Sequence, residues 1–190
     1  MAFPIPGTPR LIAPSNVGPT YAKEAPRPVT IPELKIIIKQ FGEAALRIKT
    51  AGGDGVEIHA AHAHGLLGGF LSPLYNKRTD EYGGNLENRL RLPNEIIQEV
   101  RRAVGEDYIV AIRFGAYDYW EGGSKLDEIP IAVRSFIDSG VDLIDISGGL
   151  CRFQNPYDRE PGYFKELSKI AKEASSVPVI LTGGVKKARD

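Results

Sequence analysis

The sequence predicts an α/β fold built on a parallel sheet, and three observations carry that prediction. Short apolar runs of strand length alternate with longer stretches of helical period from residue 30 onward. Each strand is separated from the next by a connection long enough for a crossover, which gives parallel strands joined with right-handed chirality. The strand at 55–59 also runs straight into a histidine-rich turn and then a long loop dense in Gly, Pro, Asn and Asp. A catalytic barrel has this arrangement at the carboxyl end of a strand, where a rigid edge presents polar groups into a pocket.

Residues 1–29 hold many of the prolines and show no helical or strand period, so they read as a connecting loop covering one end of a domain that spans 30–190. The first helix opens with Thr30 and Glu33 at capping-box spacing, and Pro32 is tolerated in its first turn. Leu34, Ile37, Phe41, Ala45 and Ile48 fall on one face, and Gly52-Gly53 ends the helix. The strand at 55–59 follows. A second helix over 86–104 buries Leu90, Ile97, Val100 and Val104, with Asn85 placed to cap it. The strand at 108–114 is a continuous apolar run interrupted by Arg113. A helix over 126–139 stops at Gly140 and leads into a strand at 141–147. A long loop, a helix over 164–174 and a strand at 177–182, closed by Gly183-Gly184, complete the pattern. The chain has no internal repeat and no low-complexity tract.

At 190 residues the chain is long enough for one well-buried domain. Lys plus Arg equals Asp plus Glu, 24 each, so neither a nucleic acid nor a membrane surface is expected as partner. No apolar run reaches the length that spans a bilayer. The opening MAFPIPGTPR lacks the basic start and apolar core of a secretion signal. The single cysteine, Cys151, cannot form an internal disulfide, which suits a reducing, cytoplasmic location.

The stretch DGVEIHAAHAHGLLGGFLSPLYNKRTDEYGGNLENR, residues 54–89, closely resembles the Old Yellow Enzyme family of NADH:flavin oxidoreductases. The run FLSPLYNKRTDEYGGNLENR is nearly the family's own motif as it stands. The resemblance implies an FMN-dependent enzyme in which NAD(P)H drives reduction of an activated carbon–carbon double bond in a small unsaturated carbonyl substrate. It also implies a TIM barrel, which has eight strands and roughly 250 residues when complete. Set against the family, the four strands here correspond to strands four to seven, so the expected fold is a partial TIM barrel of about four βα units. Such a half-barrel leaves two strand edges and its inner face uncovered, which predicts self-association or a complementing barrel half. Larger members of the family bind an iron–sulfur cluster through several cysteines beyond the barrel, and one cysteine cannot supply that within these residues.

His59, His62 and His64 are all the histidines in the chain. Paired imidazoles can polarise an enone carbonyl and make its β-carbon a hydride acceptor. Two plainer readings stand beside this one: strand-end histidines that cap backbone groups, or zinc ligands together with Glu57. The resemblance assigns His59 and His62 to the substrate carbonyl. The family usually continues with Gly-Tyr-Leu-Leu, whose tyrosine gives a proton to the α-carbon. Here the chain reads His62-Ala63-His64-Gly65-Leu66-Leu67, one residue longer and without the tyrosine. His64, Tyr117, Tyr119 and a water are then the candidate donors.

A guanidinium inside an apolar strand is costly unless it meets a partner. The resemblance places Arg113 at the flavin N1/O2 edge, where a fixed cation stabilises the reduced anion. The alternative is a structural ion pair with Glu57 or Asp145. Gly183 and Gly184 follow a strand, where successive N–H groups can close on a phosphate. In register with the family they form half of the FMN phosphate site. The polar segment 76–89 is read as structural, with Arg78, Asp80 and Glu87 pairing inside the loop. Ser147-Gly148-Gly149 and the loop 150–163 are placed along the substrate pocket. Cys151, with no base beside it in sequence, is read as an inert thiol. Aldol or isomerase chemistry on a phosphate-binding barrel finds no Schiff-base lysine or paired carboxylates at a strand end.

Overall fold

A computed structural model describes residues 11–18 and 25–187. Much of the 1–29 segment, at 1–10 and 19–24, lies outside the described residues. What is described there is not featureless. Strands β1 (Ile12–Ala13) and β2 (Arg27–Pro28) pair in parallel as a short ladder, and Ile12 is fully buried.

Helix α1 (Ile31–Thr50) begins as its sequence dictates, with Thr30 accepting from the Glu33 amide and Glu33 returning to the Thr30 amide. Strand β3 (Gly55–Ala60) leads through helix α2 (Leu66–Leu71) and the polar loop to helix α3 (Leu86–Val104), which Asn85 caps. Strand β4 (Ile109–Gly115), helix α4 (Ile129–Asp138), strand β5 (Leu143–Ser147), helix α5 (Lys165–Ala174) and strand β6 (Val179–Leu181) follow in turn. The sheet order is β3-β4-β5-β6 and every pairing is parallel. This is the expected partial (βα) barrel.

Alternation along the strands decides the two faces. Ile58, Ile112 and Ile144 sit in one register row, and Ala60, Phe114 and Ile146 in the next. These six are buried, and with the helices they form the core. Ile97 and Val100 from α3 and Val133 and Phe136 from α4 join the same cluster. Each fully buried aliphatic side chain contributes roughly 1.5–3 kcal/mol through removal of apolar surface from water. The opposite face carries His59, Arg113 and Asp145 in a single row, ending at Ile180 on β6. Much of it is open to solvent: Glu57, His59, Ile109 and Ile180 are all exposed. One face of the sheet is therefore finished and the other is a bare barrel lining.

At the amino ends of the strands, Arg101 of α3 is buried. It donates to the carbonyls of Tyr108 (2.7 Å) and Gly140 (2.8 Å) and pairs with Asp142 at 2.5 Å. In a βα barrel, contacts at that end serve stability rather than chemistry.

Three details depart from the sequence reading. Ile48, assigned to the buried face of α1, is half exposed. The stretch 126–139 does not start as one helix: Leu126–Glu128 is a 3₁₀ turn before α4 begins at Ile129. Glu87 does not pair within the polar loop but lies exposed in the acidic first turn of α3, where it complements the positive end of the helix dipole.

Candidate active site

The carboxyl ends of β3, β4 and β5 meet above Gly115. A Cβ there would press on the Ala61 backbone on one side and on the Gly148 and Gly149 backbone on the other, each at 3.1 Å. Its absence lets the loops that follow β3 and β5 touch each other directly over the end of β4. The His62 amide donates to the Gly148 carbonyl (3.4 Å) and the Ala63 amide to the Gly149 carbonyl (3.2 Å).

The three histidines come together. The His59 and His62 rings meet edge to face with centroids 5.2 Å apart, and His62 and His64 stack nearly parallel at 5.7 Å. His62 adopts a left-handed backbone, φ 60°, a conformation that non-glycine residues hold at a cost of about 1–3 kcal/mol. The turn is secured from below by α2. The Gly65 amide bonds the His62 carbonyl at 2.8 Å, and a Cβ on Gly68 would stand 2.6 Å from that oxygen. This is why an otherwise apolar helix carries Gly68-Gly69. Phe153, half exposed on the β5 loop, stands edge-on to His62 at 6.3 Å. The hydroxyl of the fully buried Ser147 lies 3.3 Å from His62 Nε2.

Charge on these rings is disfavoured. Burial holds the His59 pKa below its ordinary value, with the Arg113 charge adding to the effect. Burial, then the neighbouring positive groups His59 and Arg113, bring His62 down to about 4. His64 also falls to about 4, mainly through burial, with Arg152 contributing. At neutral pH the cluster is a set of neutral imidazoles able to donate one N–H each.

On the inner face, Arg113 lies beside Asp145, Nε to Oδ2 3.3 Å. The ion-pair alternative for Arg113 is thus built, through Asp145 rather than Glu57. The pair is incomplete, because Arg113 Nε and Asp145 Oδ1 are buried without a hydrogen bond. Burial raises the Asp145 carboxyl to about 6, against the opposing pull of Arg113.

Gly183 and Gly184 both have left-handed φ, 112° and 74°. A Cβ on either would strike the Tyr163 ring at 2.8 Å. The turn after β6 therefore requires glycine, and its Gly183 carbonyl is held by the Gly162 amide at 2.7 Å. Tyr117 and Tyr119 sit together on the β4 loop at 4.6 Å, and the Tyr119 hydroxyl accepts from Asn155 at 3.2 Å. Burial raises the Tyr119 phenol well above its usual value. Burial also takes the Cys151 thiol up to about 12, which agrees with an inert thiol. Among the described residues no cluster of His, Cys, Asp and Glu is placed to hold a metal ion, and no helix is long and apolar enough to cross a membrane.

Sequence reasoning overlooked Asp118. Its carboxylate is fully buried and accepts from the Ser72 hydroxyl, the Ser124 amide and the Leu150 amide. Only the following glycine pair, Gly122-Gly123, hinted at a tight turn there.

Parallel strands in chain order, helices packed on one side, and polar side chains gathered at the strands' carboxyl ends define part of a βα barrel with its candidate site at the usual end. Residues 10–190 match the model of the NADH:flavin oxidoreductase / NADH oxidase family, and the chain belongs to that family. It is 38% identical to an NADH oxidase of Thermoanaerobacter brockii over 93% of its own length and 28% of the relative's. It is 35% identical to a cinnamate reductase of Clostridium sporogenes over 83% of this chain and 26% of that one. Among solved structures, a 2-naphthoyl-CoA reductase superposes with a TM-score of 0.81 at 31% identity, covering 90% of this chain and 27% of the other. The chain spans about a quarter of the length of these relatives. A flavin and a nicotinamide donor are the cofactors of such a family, in agreement with the expectation of FMN and NAD(P)H.

Proposed function

We propose that this chain carries the substrate-polarising part of an FMN-dependent oxidoreductase that uses NAD(P)H to reduce an activated carbon–carbon double bond, of enone or enoyl type. One observation carries the reading: exposed His59 and half-buried His62 form a neutral imidazole pair at a strand's carboxyl end, with His59 beside Arg113 on the same face. Neutral imidazole N–H groups directed at one carbonyl oxygen stabilise the enolate charge that develops on hydride addition to the β-carbon. His64, stacked on His62, is the proposed proton donor to the α-carbon. The names of the cinnamate and 2-naphthoyl-CoA reductases, which denote compounds with unsaturation conjugated to a carbonyl, support this substrate class.

The residues present fit part of a flavin site. Arg113 has an unmet buried donor on the barrel-lining face, and the 183–184 turn accepts only glycine. Arg113 would hold the electron-rich edge of the ring system, and the Gly183-Gly184 amides would take the phosphate. When bound, the flavin supplies the hydride. Arg113 keeps a fixed positive charge where negative charge collects, and the His59–His62 pair orients the carbonyl. Adding FMN to the purified chain and passing it through a size filter tests the cofactor half. Retained, shifted visible bands are expected; flavin that washes through refutes binding by this chain alone.

The open inner face and the outer strands β3 and β6, each paired on one side only among the described residues, favour a second reading in which the site is completed by another barrel half or by a second copy. Sedimentation shows the difference. Association is expected, and a monomer with a single sharp melting transition overturns it.

A further inference from the structure

We propose that Asp118 is a positioning residue that sets the backbone of the histidine turn through the loop after β5; the catalytic meaning of that role rests on the reading of His62 given above. One carboxylate joins three strand-end loops. Oδ2 accepts from the Ser72 hydroxyl at 2.7 Å and the Ser124 amide at 3.0 Å, while Oδ1 accepts from the Leu150 amide at 2.7 Å. Ser72 closes α2, which packs under the histidine turn, whereas Ser124 belongs to the β4 loop and Leu150 to the β5 loop. All three donors stand on segments that carry no regular ladder of their own, so the carboxylate is their common anchor.

The route to His62 is short. Leu150 is fixed by Asp118, and the neighbouring Gly149 amide bonds the Tyr117 carbonyl at 2.9 Å. That holds the Gly148 and Gly149 carbonyls where the His62 and Ala63 amides reach them. The surrounding glycines are shaped to the same acid: a Cβ on Gly149 would collide with Asp118 Oδ1, and one on Gly123 would come within 2.6 Å of its Cβ. A left-handed residue such as His62 persists only where its surroundings over-determine it. Asp118 supplies that constraint from 1% exposure, where water cannot replace it.

Amide hydrogen exchange in Asp118→Asn tests the assignment. The amide keeps the shape but turns an NH₂ toward an N–H or O–H donor, so at least one loop is released. The His62 and Ala63 amides are expected to exchange about tenfold faster or more, while Ile112 and Ile144 in the sheet keep their protection. The His62 imidazole resonance, which senses the His64 and Phe153 rings, should move as well. Should Asp118→Asn fail to fold, Gly149→Ala displaces the same loop with the acid intact and should give the same local pattern. Unchanged exchange at His62 and Ala63, or an equal rise across the whole sheet, overturns the proposal. Loss of enone reduction is not the readout, so a failure of the catalytic reading of His62 would leave this result standing and distinguishable.

Discussion

The turn 59–64 and the loop 76–89 are both crowded with polar side chains, yet the protein treats them in opposite ways. In the loop most polar groups find partners inside the protein, although the buried Arg89 Nε has none. Arg78 pairs with Asp80 at 2.5 Å and donates to the Pro14 and Val29 carbonyls at 3.0 and 2.6 Å. Asn76 spans the Phe70 and Tyr82 carbonyls at 2.8 and 2.7 Å. Arg89 is buried against Glu128 at 2.5 Å. In the turn, by contrast, the imidazoles face one another, their charged forms are suppressed, and nearby Arg113 keeps an unmet donor. Polarity alone does not mark chemistry; titratable groups gathered in one place with their charged forms suppressed do.

The sharpest way to break this contrast is to cut the loop. Arg78→Ala leaves Asp80 without its partner and two carbonyls without donors, and should cost about 3–5 kcal/mol in denaturant unfolding. Asn76→Ala removes a bridge between α2 and the loop, both ends of it buried, at about 1–3 kcal/mol. A loss under roughly 0.5 kcal/mol in either variant, within the range of ordinary surface changes, would mean the loop is not the structural member of the pair.

Much of this was legible in the sequence, and what was not shares a cause. The capping box at Thr30, the cap at Asn85 and the alternating strands are local patterns, and they appear where the residues put them. Helix α2 was not legible because a six-residue Leu66–Leu71 segment with two glycines shows neither helical period nor propensity, and its stability comes from contact with the turn beneath His62. Asp118 was hidden because its partners lie 46 and 32 positions away. Ile48 misled for the converse reason: its helical spacing is right, but the described chain leaves that flank of α1 half open. The roles of His59, His62, Arg113, Gly183 and Gly184 came from resemblance and that of His64 from the missing tyrosine, and the geometry gathers the three histidines and Arg113 in one region.

The turn should behave differently from the loop. His62→Gly removes one imidazole and relieves a left-handed side chain, so stability is expected to change by less than about 1 kcal/mol. In the FMN-loaded protein the same substitution should lower enone reduction by about 10²-fold. A large stability loss with intact reduction would reverse the comparison and make the histidines the structural set.

The smallest expected effect is the pH response, and its sign separates the turn from the pair below it. His62 and His64 have folded pKa values near 4 against 6.5 when unfolded, so the unfolded chain binds the extra protons between those limits. Their contribution is complete above about pH 6.5 and fades as pH falls toward 4. Asp145 runs the other way, raised from 3.8 to about 6, so its contribution is present at low pH and fades as pH rises through 6. Two groups oppose one across the shared window from about 4 to 6, and the histidines should win. The denaturation midpoint is therefore expected to fall between pH 6.5 and 4.5, and Asp145→Asn should steepen that fall by removing the opposing group. A midpoint that rises on acidification would mean the imidazoles are charged in the folded protein, and the neutral-donor chemistry assigned to His59 and His62 would have to be abandoned.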